Sequence, residues 1–354
     1  MNTKRCIIVL ALAATLAVPS FAQQKWAVVT LSSNFLREEP DYEAGNGTQA
    51  LMGTVVEVID STGIWRKVKT PEPYVAWTND LSLAYMDEAG KDAYIRAPKW
   101  ICVEEYSHVY EEPDFRSRRI CDLTMGDLVL QVRPEDEAQP AADVEGPVAI
   151  VRDWVKNTAL PAIKGEVEAT RLQPWMKVML PSGKKGWVQA RDIRDFHRWA
   201  SSRKGVPENI IAMAERFVGV PYMWGGNTAK YFDCSGLVQF AYRMNGILLP
   251  RNCSEQVKLG EEIEAVPAAM QPGDLVFFGD SAAGEEPCKA THVGIYMGEG
   301  KMIHASQVVR INSLVEGEPD CYDRRILCVR RLAGHMGRGT GAINILGSSD
   351  YFKQ

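Results

Sequence analysis

Between residues 207 and 219 apolar side chains recur at helical spacing: Ile210, Ile211, Ala214, Phe217 and Val218. Pro207 suits a first helical turn, where its missing N–H costs nothing, and Gly219 suits a C-terminal cap. A second helix is predicted from Cys234, with Leu237, Phe240, Ala241 and Met244 on one apolar face, Asp233 as its N-cap and Gly246 as its close. From residue 292 the period changes to two. Val293, Ile295 and Met297 alternate with His292, Gly294 and Tyr296, as in a half-buried strand. Gly298-Glu299-Gly300 then signals a turn, and Lys301 to Ser306 should return antiparallel. The first half of the chain reads differently: short β-branched and aromatic runs, broken by Gly, Pro and Asp, predict small all-β barrels.

Those runs repeat. EEPD occurs at 38–41 and again at 111–114, and twelve residues beyond each aspartate stands the glycine of a Met-Gly pair, Met52-Gly53 and Met125-Gly126. Trp65, Val68, Pro71 and Trp77 share their internal spacing with Trp175, Val178, Pro181 and Trp187. The distance from glycine to the first tryptophan is 12 residues in the first copy and 49 in the second, so the second copy carries an insertion near 133–170 that includes a helical stretch, VAIVRDWVKN.

Lys4 and Arg5 precede an apolar run from Ile7 to Val18 and a small-x-small site at Ser20-Phe21-Ala22, the pattern of a secretory signal peptide. The run is too short to span a bilayer, and Cys6 lies inside it instead of after a cleavage site, so neither a spanning helix nor a lipid anchor is expected. The chain of 354 residues has a formal charge of −5, or about −7 without Lys4 and Arg5, with both signs interspersed. That balance argues against nucleic acid as a partner. Eight cysteines less Cys6 leave seven in an oxidising compartment, so at least one thiol stays unpaired; Cys102 with Cys121 and Cys321 with Cys328 are candidate bridges.

Cys234 is where chemistry is expected. In the first turn of a helix a thiol meets unsatisfied N–H groups and the positive end of the helix dipole, which favour its thiolate. Ser235 and Gly236 are small enough to let a substrate backbone approach. A nucleophilic thiolate needs a proton donor for the leaving group, and a third residue to orient that donor. If the 298–300 loop centres on Glu299, His292 stands opposite Ser306 and shares a face with His304, as diagonal cross-strand neighbours; a loop one residue longer or shorter puts them on opposite faces. A Cys-His-His metal site from the same three residues lacks CxxC or HExxH spacing, and no metal or cofactor is assigned. His108, His197 and His335 receive no role.

Together these residues resemble the NlpC-type cysteine peptidases of bacterial cell walls, a papain-like family. The matching stretches are GVPYMWGG at 219–226, FDCSGLVQ at 232–239, LPR at 249–251, QPGDLVFF at 271–278, HVGIYMGEG at 292–300 and IHAS at 303–306. The repeat resembles bacterial SH3-like domains. The resemblance implies two small all-β SH3-like barrels followed by an α+β papain-like catalytic domain: a signal peptide at 1–22, the barrels at 23–97 and 98–196, the peptidase domain at 205–335 and a tail at 336–354. It implies Cys234 as nucleophile, His292 as general base and acid, His304 as orienting residue and Tyr222 as an aid to the oxyanion. Trp224, Asp233, Ser235 and Arg251 fall at positions that line the substrate cleft. Relatives often read Arg-Asp-Ser where this chain has Arg251-Asn252-Cys253, which makes Cys253 a second thiol to watch. The arrangement looks like the subgroup that cleaves between D-γ-glutamate and a diamino acid in peptidoglycan stem peptides with a free N-terminal L-Ala. Asp80 and Tyr106 are then candidates for the wall that a barrel supplies to the cleft. The expected protein is an exported, periplasmic or extracellular endopeptidase acting on peptidoglycan-derived peptides. The alternatives are a hydrolase of intact wall and a catalytically silent wall-binding protein.

Overall fold

Each copy of the repeat folds into a seven-stranded antiparallel sheet, and the two sheets have the same strand order. The strands are β1 (Trp26–Val29), β2 (Asn34–Arg37), β3 (Asn46–Ala50), β4 (Val55–Thr62), β5 (Trp65–Lys69), β6 (Val75–Asn79) and β7 (Leu83–Met86) in the first. The second holds β8 (Lys99–Cys102), β9 (Tyr106–Tyr110), β10 (Arg119–Thr124), β11 (Leu128–Gln131), β12 (Trp175–Met179), β13 (Lys185–Gln189) and β14 (Ile193–Asp195). The first is ordered β3-β2-β6-β5-β4-β1-β7, and adding seven to each number gives the second. Aligned repeat positions fill the same core places: Leu36 with Val109, Val56 with Val129, and Val68 with Val178, all buried. These are the two SH3-like modules that the sequence predicts. The computed structural model describes residues 25–132, 174–266, 268–279, 289–332 and 342–353. The expected signal peptide, the insertion near 133–170 with its helical stretch, and His335 lie outside the described residues.

The Met-Gly pairs join the modules. Gly53 and Gly126 both take positive φ, 84° and 95°, and a Cβ on either would meet the other module, at 2.6 Å from Leu128 and 2.7 Å from Leu51. Met52 donates its N–H to the Asp127 carboxylate at 2.9 Å, and Leu128 donates to the Met52 carbonyl at 2.9 Å. Helix α1 (Glu88–Arg96), capped by Asp87, sends Tyr94 and Ile95 into the apolar seam shared by Val28, Val55, Leu130 and Met179.

Helix α2 (Phe196–Ser202) leads from β14 to the C-terminal domain, where α3 spans Pro207–Glu215 with Pro207 in its first turn. Its end differs from the prediction: Phe217 and Val218 lie in a further turn, and Gly219 carries the chain out at φ 92°. A short hairpin, β15 (Asn227–Thr228) and β16 (Tyr231–Phe232), delivers the chain to α4 (Cys234–Arg243). Beyond α4 come β17 (Ile247–Leu248), the short α5 (Cys253–Gln256), β18 (Glu261–Ile263), β19 (Leu275–Gly279), β20 (Ala290–Gly298), β21 (Lys301–Ser306), β22 (Val308–Ser313), β23 (Ile326–Arg331) and β24 (Ile343–Asn344). Six of these strands form one antiparallel sheet ordered β18-β23-β19-β20-β21-β22, with α4 against β20 and β21. Phe217 and Phe232 interlock edge to face with each other and with Phe240 of α4, at 5.0–5.3 Å between ring centres.

Helix α4 is buried all round from Cys234 to Tyr242, not amphipathic as its spacing suggests. Its polar side is met by other segments of the same domain: Asn227 Nδ2 donates to Gln239 Oε1 at 3.0 Å, Gln239 Nε2 to the Leu249 carbonyl at 3.0 Å, Arg251 to the Ser235 hydroxyl at 3.0 Å, and Arg243 lies over the Tyr351 ring. The first module holds the hairpin in place. Gln49 on β3 accepts from the Asn227 N–H at 3.1 Å and the Thr228 hydroxyl at 3.2 Å, and Asn46 donates to the Trp224 carbonyl at 3.2 Å. The second module reaches the same hairpin: the Tyr106 hydroxyl donates to the Ala229 carbonyl at 3.3 Å, and Lys230 pairs with Asp122.

Two further expectations are corrected. Cys102, Cys121 and Cys321 are free thiols, so neither candidate bridge forms. Residues 342–353 of the expected tail, for which the sequence suggests no role, are built into the fold: β24 pairs with β17, and Tyr351 packs on Phe196 while its hydroxyl donates to Glu72 of the first module at 2.9 Å.

Candidate active site

Cys234 opens α4. Asp233, the N-cap, accepts from the Gly236 N–H at 2.7 Å, so the thiol is held at the helix's positive end. The first turn fits because position 236 is glycine; a Cβ there would lie 1.9 Å from the Gly226 carbonyl oxygen.

Strand β20 presents His292 across from this turn. The loop from β20 to β21 has two residues, not the three expected: Gly298 pairs with Lys301, and Glu299 and Gly300 both have positive φ, 52° and 71°. Such a loop alone would put the two imidazoles on opposite faces. A one-residue irregularity between Tyr296 and Gly298 restores the register, so that Ile295 pairs with Ile303. His292 and His304 thereby share a face, with His292 Nε2 2.7 Å from His304 Nδ1. The same diagonal relation holds once more across β21 and β22, where His304 stands opposite Arg310 and its Nε2 lies 2.9 Å from Asn312 Oδ1. Tyr322 packs on both imidazoles, its ring centre 5.3 Å from that of His292 and 4.6 Å from that of His304. The histidines face one another and not a common ion, and among the described residues no cluster of His, Cys, Asp and Glu is arranged to hold a metal.

The thiol departs from the expectation of a depressed pKa. A hydrogen bond shared with the Cys253 thiol, together with burial, pushes Cys234 well above the ordinary range, while the hydrogen bond and charge of His292 pull it down. The same sulfur contact lowers Cys253, whose S–H also lies 3.3 Å from the Ala290 carbonyl. Cys253 and burial thus favour the thiol form of Cys234, and His292 favours the thiolate that attack requires. Replacing Cys253 with alanine should move the pH profile of Cys234 alkylation by iodoacetamide to lower pH. An unmoved profile would show that Cys253 does not tune the nucleophile.

Tyr222 is half-buried beside Cys234, its backbone N–H donating to the Gln307 carbonyl at 2.8 Å. Burial, with the neighbouring Cys234 next in effect, pushes its phenol up to about 12. It stays protonated at neutral pH, so its hydroxyl can donate a hydrogen bond. Trp224 is 64% exposed on the loop before the hairpin.

Asp233, Ser235 and Arg251, expected to line the cleft, are framework instead. Arg251 is 2% exposed, and its guanidinium donates to Thr48, to both Asp233 carboxylate oxygens, to the Ser235 hydroxyl and to the Gly226 carbonyl, at 2.6–3.4 Å. No donor is left for a substrate. Asp80, considered for the cleft wall, is occupied within the first module by Arg66 and Tyr85. Tyr106 does reach the hairpin that leads to Cys234. Asn312 went unnoticed in the sequence because its place depends on the register of a third strand.

Residues 219–331 match the NlpC/P60 family. Over 271 residues the chain is 28% identical to the γ-D-glutamyl-L-lysine dipeptidyl-peptidase of Bacillus cereus, covering 74% of this chain and 68% of that one. It is 25% identical over 298 residues to dipeptidyl-peptidase 6 of Lysinibacillus sphaericus, covering 82% and 92%. The crystal structure of a Bacillus cereus NlpC/P60 family protein superposes with a TM-score of 0.63 at 21% identity, over 87% of this chain and 99% of that one, which shows a common fold.

Proposed function

The catalytic domain belongs to the NlpC/P60 family of cysteine peptidases, and we propose that the chain is an exported endopeptidase that hydrolyses the γ-D-glutamyl–diamino acid bond of peptidoglycan stem peptides bearing a free N-terminal L-Ala. The observation that carries the finer reading is the grip of both SH3-like modules on the loop and hairpin before Cys234, through Asn46, Gln49, Tyr106 and Asp122. A cleft walled by folded modules suits a short released peptide better than a cross-linked strand. The name of the Bacillus cereus relative, γ-D-glutamyl-L-lysine dipeptidyl-peptidase, supports the same bond. Lys4, Arg5, the apolar run and the Ser20-Phe21-Ala22 site support export to the periplasm or the exterior.

In this reading the Cys234 sulfur attacks the γ-carbonyl carbon as its proton passes to His292. Tyr222 donates to the developing oxyanion. His292 then gives that proton to the departing amine, leaving a thioester. Water, deprotonated by His292, releases the acid and restores the thiol.

Two synthetic peptides test the reading by mass spectrometry: L-Ala-γ-D-Glu-diaminopimelate and its N-acetylated form. Cleavage of the free-amine peptide alone, at the γ-D-glutamyl bond, is the expected result. Equal cleavage of both would make the protein a hydrolase of intact wall and remove the recycling role.

A further inference from the structure

We infer that Asn312 is a positioning residue that decides which nitrogen of His304, and through it which nitrogen of His292, carries the proton. The argument starts at a backbone carbonyl. Asn312 is buried, and its Nδ2 donates to the Asp320 carbonyl at 2.6 Å. A carbonyl only accepts, so the amide cannot be reversed, and Oδ1 must be the atom that meets His304 Nε2 at 2.9 Å. An amide oxygen also only accepts, which puts a hydrogen on His304 Nε2. His304 is fully buried, and burial pushes its imidazolium down to about 4, so near pH 7 the ring is neutral and Nδ1 holds a lone pair. His292 Nε2, 2.7 Å away, therefore donates to it. The nitrogen of His292 left to meet the Cys234 thiol is Nδ1, ready to take a proton. Reversing the Asn312 amide would reverse every link. The loop that follows serves the same end, since Asp320 supplies the acceptor and Tyr322 packs on both imidazoles.

The role of Asn312 in turnover rests on the peptidase reading above, whereas the proton placement can be read without any substrate. In the full chain labelled with ¹⁵N-histidine, spectra correlating the ring carbon-bound protons with both nitrogens should show His304 as the Nε2–H tautomer. Finding Nδ1–H at His304 in the unmutated protein overturns the inference. Asn312→Leu should give mixed tautomers at His304 and lower kcat about tenfold or more, with KM within about twofold. Asn312→Asp, which supplies an acceptor in the same place, should restore the Nε2–H signature. An unchanged signature and kcat in Asn312→Leu would also overturn the inference. If that variant does not fold, the spectra of the unmutated protein and of Asn312→Asp decide. Failure of the substrate reading looks different: the Nε2–H tautomer is present but the peptide is not cleaved. The rate of Cys234 alkylation, expected to fall in Asn312→Leu and to hold steady if the inference is wrong, then replaces kcat.

Discussion

Cys234→Ala should lower kcat for L-Ala-γ-D-Glu-diaminopimelate by about 10⁴-fold or more, and His292→Ala should do nearly the same. The two losses should not add. The sulfur attacks only as His292 takes its proton, so removing either residue removes the same step, and the double variant should match the single ones. KM should change little, because neither residue is needed to hold the peptide. The unusual feature of this site makes the experiment informative: Cys253 lies in hydrogen-bond contact with Cys234 and is itself lowered by that contact. If Cys253 were the nucleophile, Cys234→Ala would keep substantial activity and Cys253→Ala would lose it. Steady-state kinetics on the three variants distinguish these outcomes, and retained activity in Cys234→Ala would overturn the assignment.

Local rules carried much of the architecture. The repeat could be read because EEPD, the Met-Gly pairs and the tryptophans mark turns and core positions that each module needs separately, and the two sheets have one topology. The pairing of His292 with His304 was legible only as a conditional, because strand alternation fixes a face once the register is known and the register was taken from a three-residue loop. It came out as expected through a different route, with a two-residue loop and a compensating irregularity. What the sequence hid depends on contacts between distant segments. Nothing local to α4 says that Asn227, Leu249, Arg251 and Tyr351 will meet its polar side, so Leu237, Phe240, Ala241 and Met244 read as one apolar stripe on a helix that is in fact buried all round. The pKa of Cys234 followed from its helix position until Cys253 arrived from α5. Tyr351 looked idle because its partners, Phe196 and Glu72, come from before the catalytic domain and from the first module.

Arg251→Ala should destabilise the fold by about 3–5 kcal/mol, since it removes one partner of a buried ion pair and strands the other. The Asp233 carboxylate would keep its bonds to the Gly236 and Gly225 N–H groups, 2.7 and 2.9 Å long, but lose the fork that neutralises it. The Thr48 hydroxyl, 2.7 Å from Arg251 Nε, would lose its link across the domain boundary. Arg251→Lys should recover only part of the loss, because a single ammonium cannot span Asp233, Ser235, Gly226 and Thr48 together. Equilibrium urea unfolding gives the size of the effect, and hydrogen exchange at the first turn of α4 shows whether it falls where the fork was. Activity should decline with the protection of that turn, since Asp233 caps the helix that presents Cys234. The opposite pattern, normal stability and exchange with a KM raised many-fold, would return Arg251 to the substrate cleft where its motif first suggested it belonged. The hydrogen bonds argue against that outcome: all five guanidinium N–H groups are already committed within the protein.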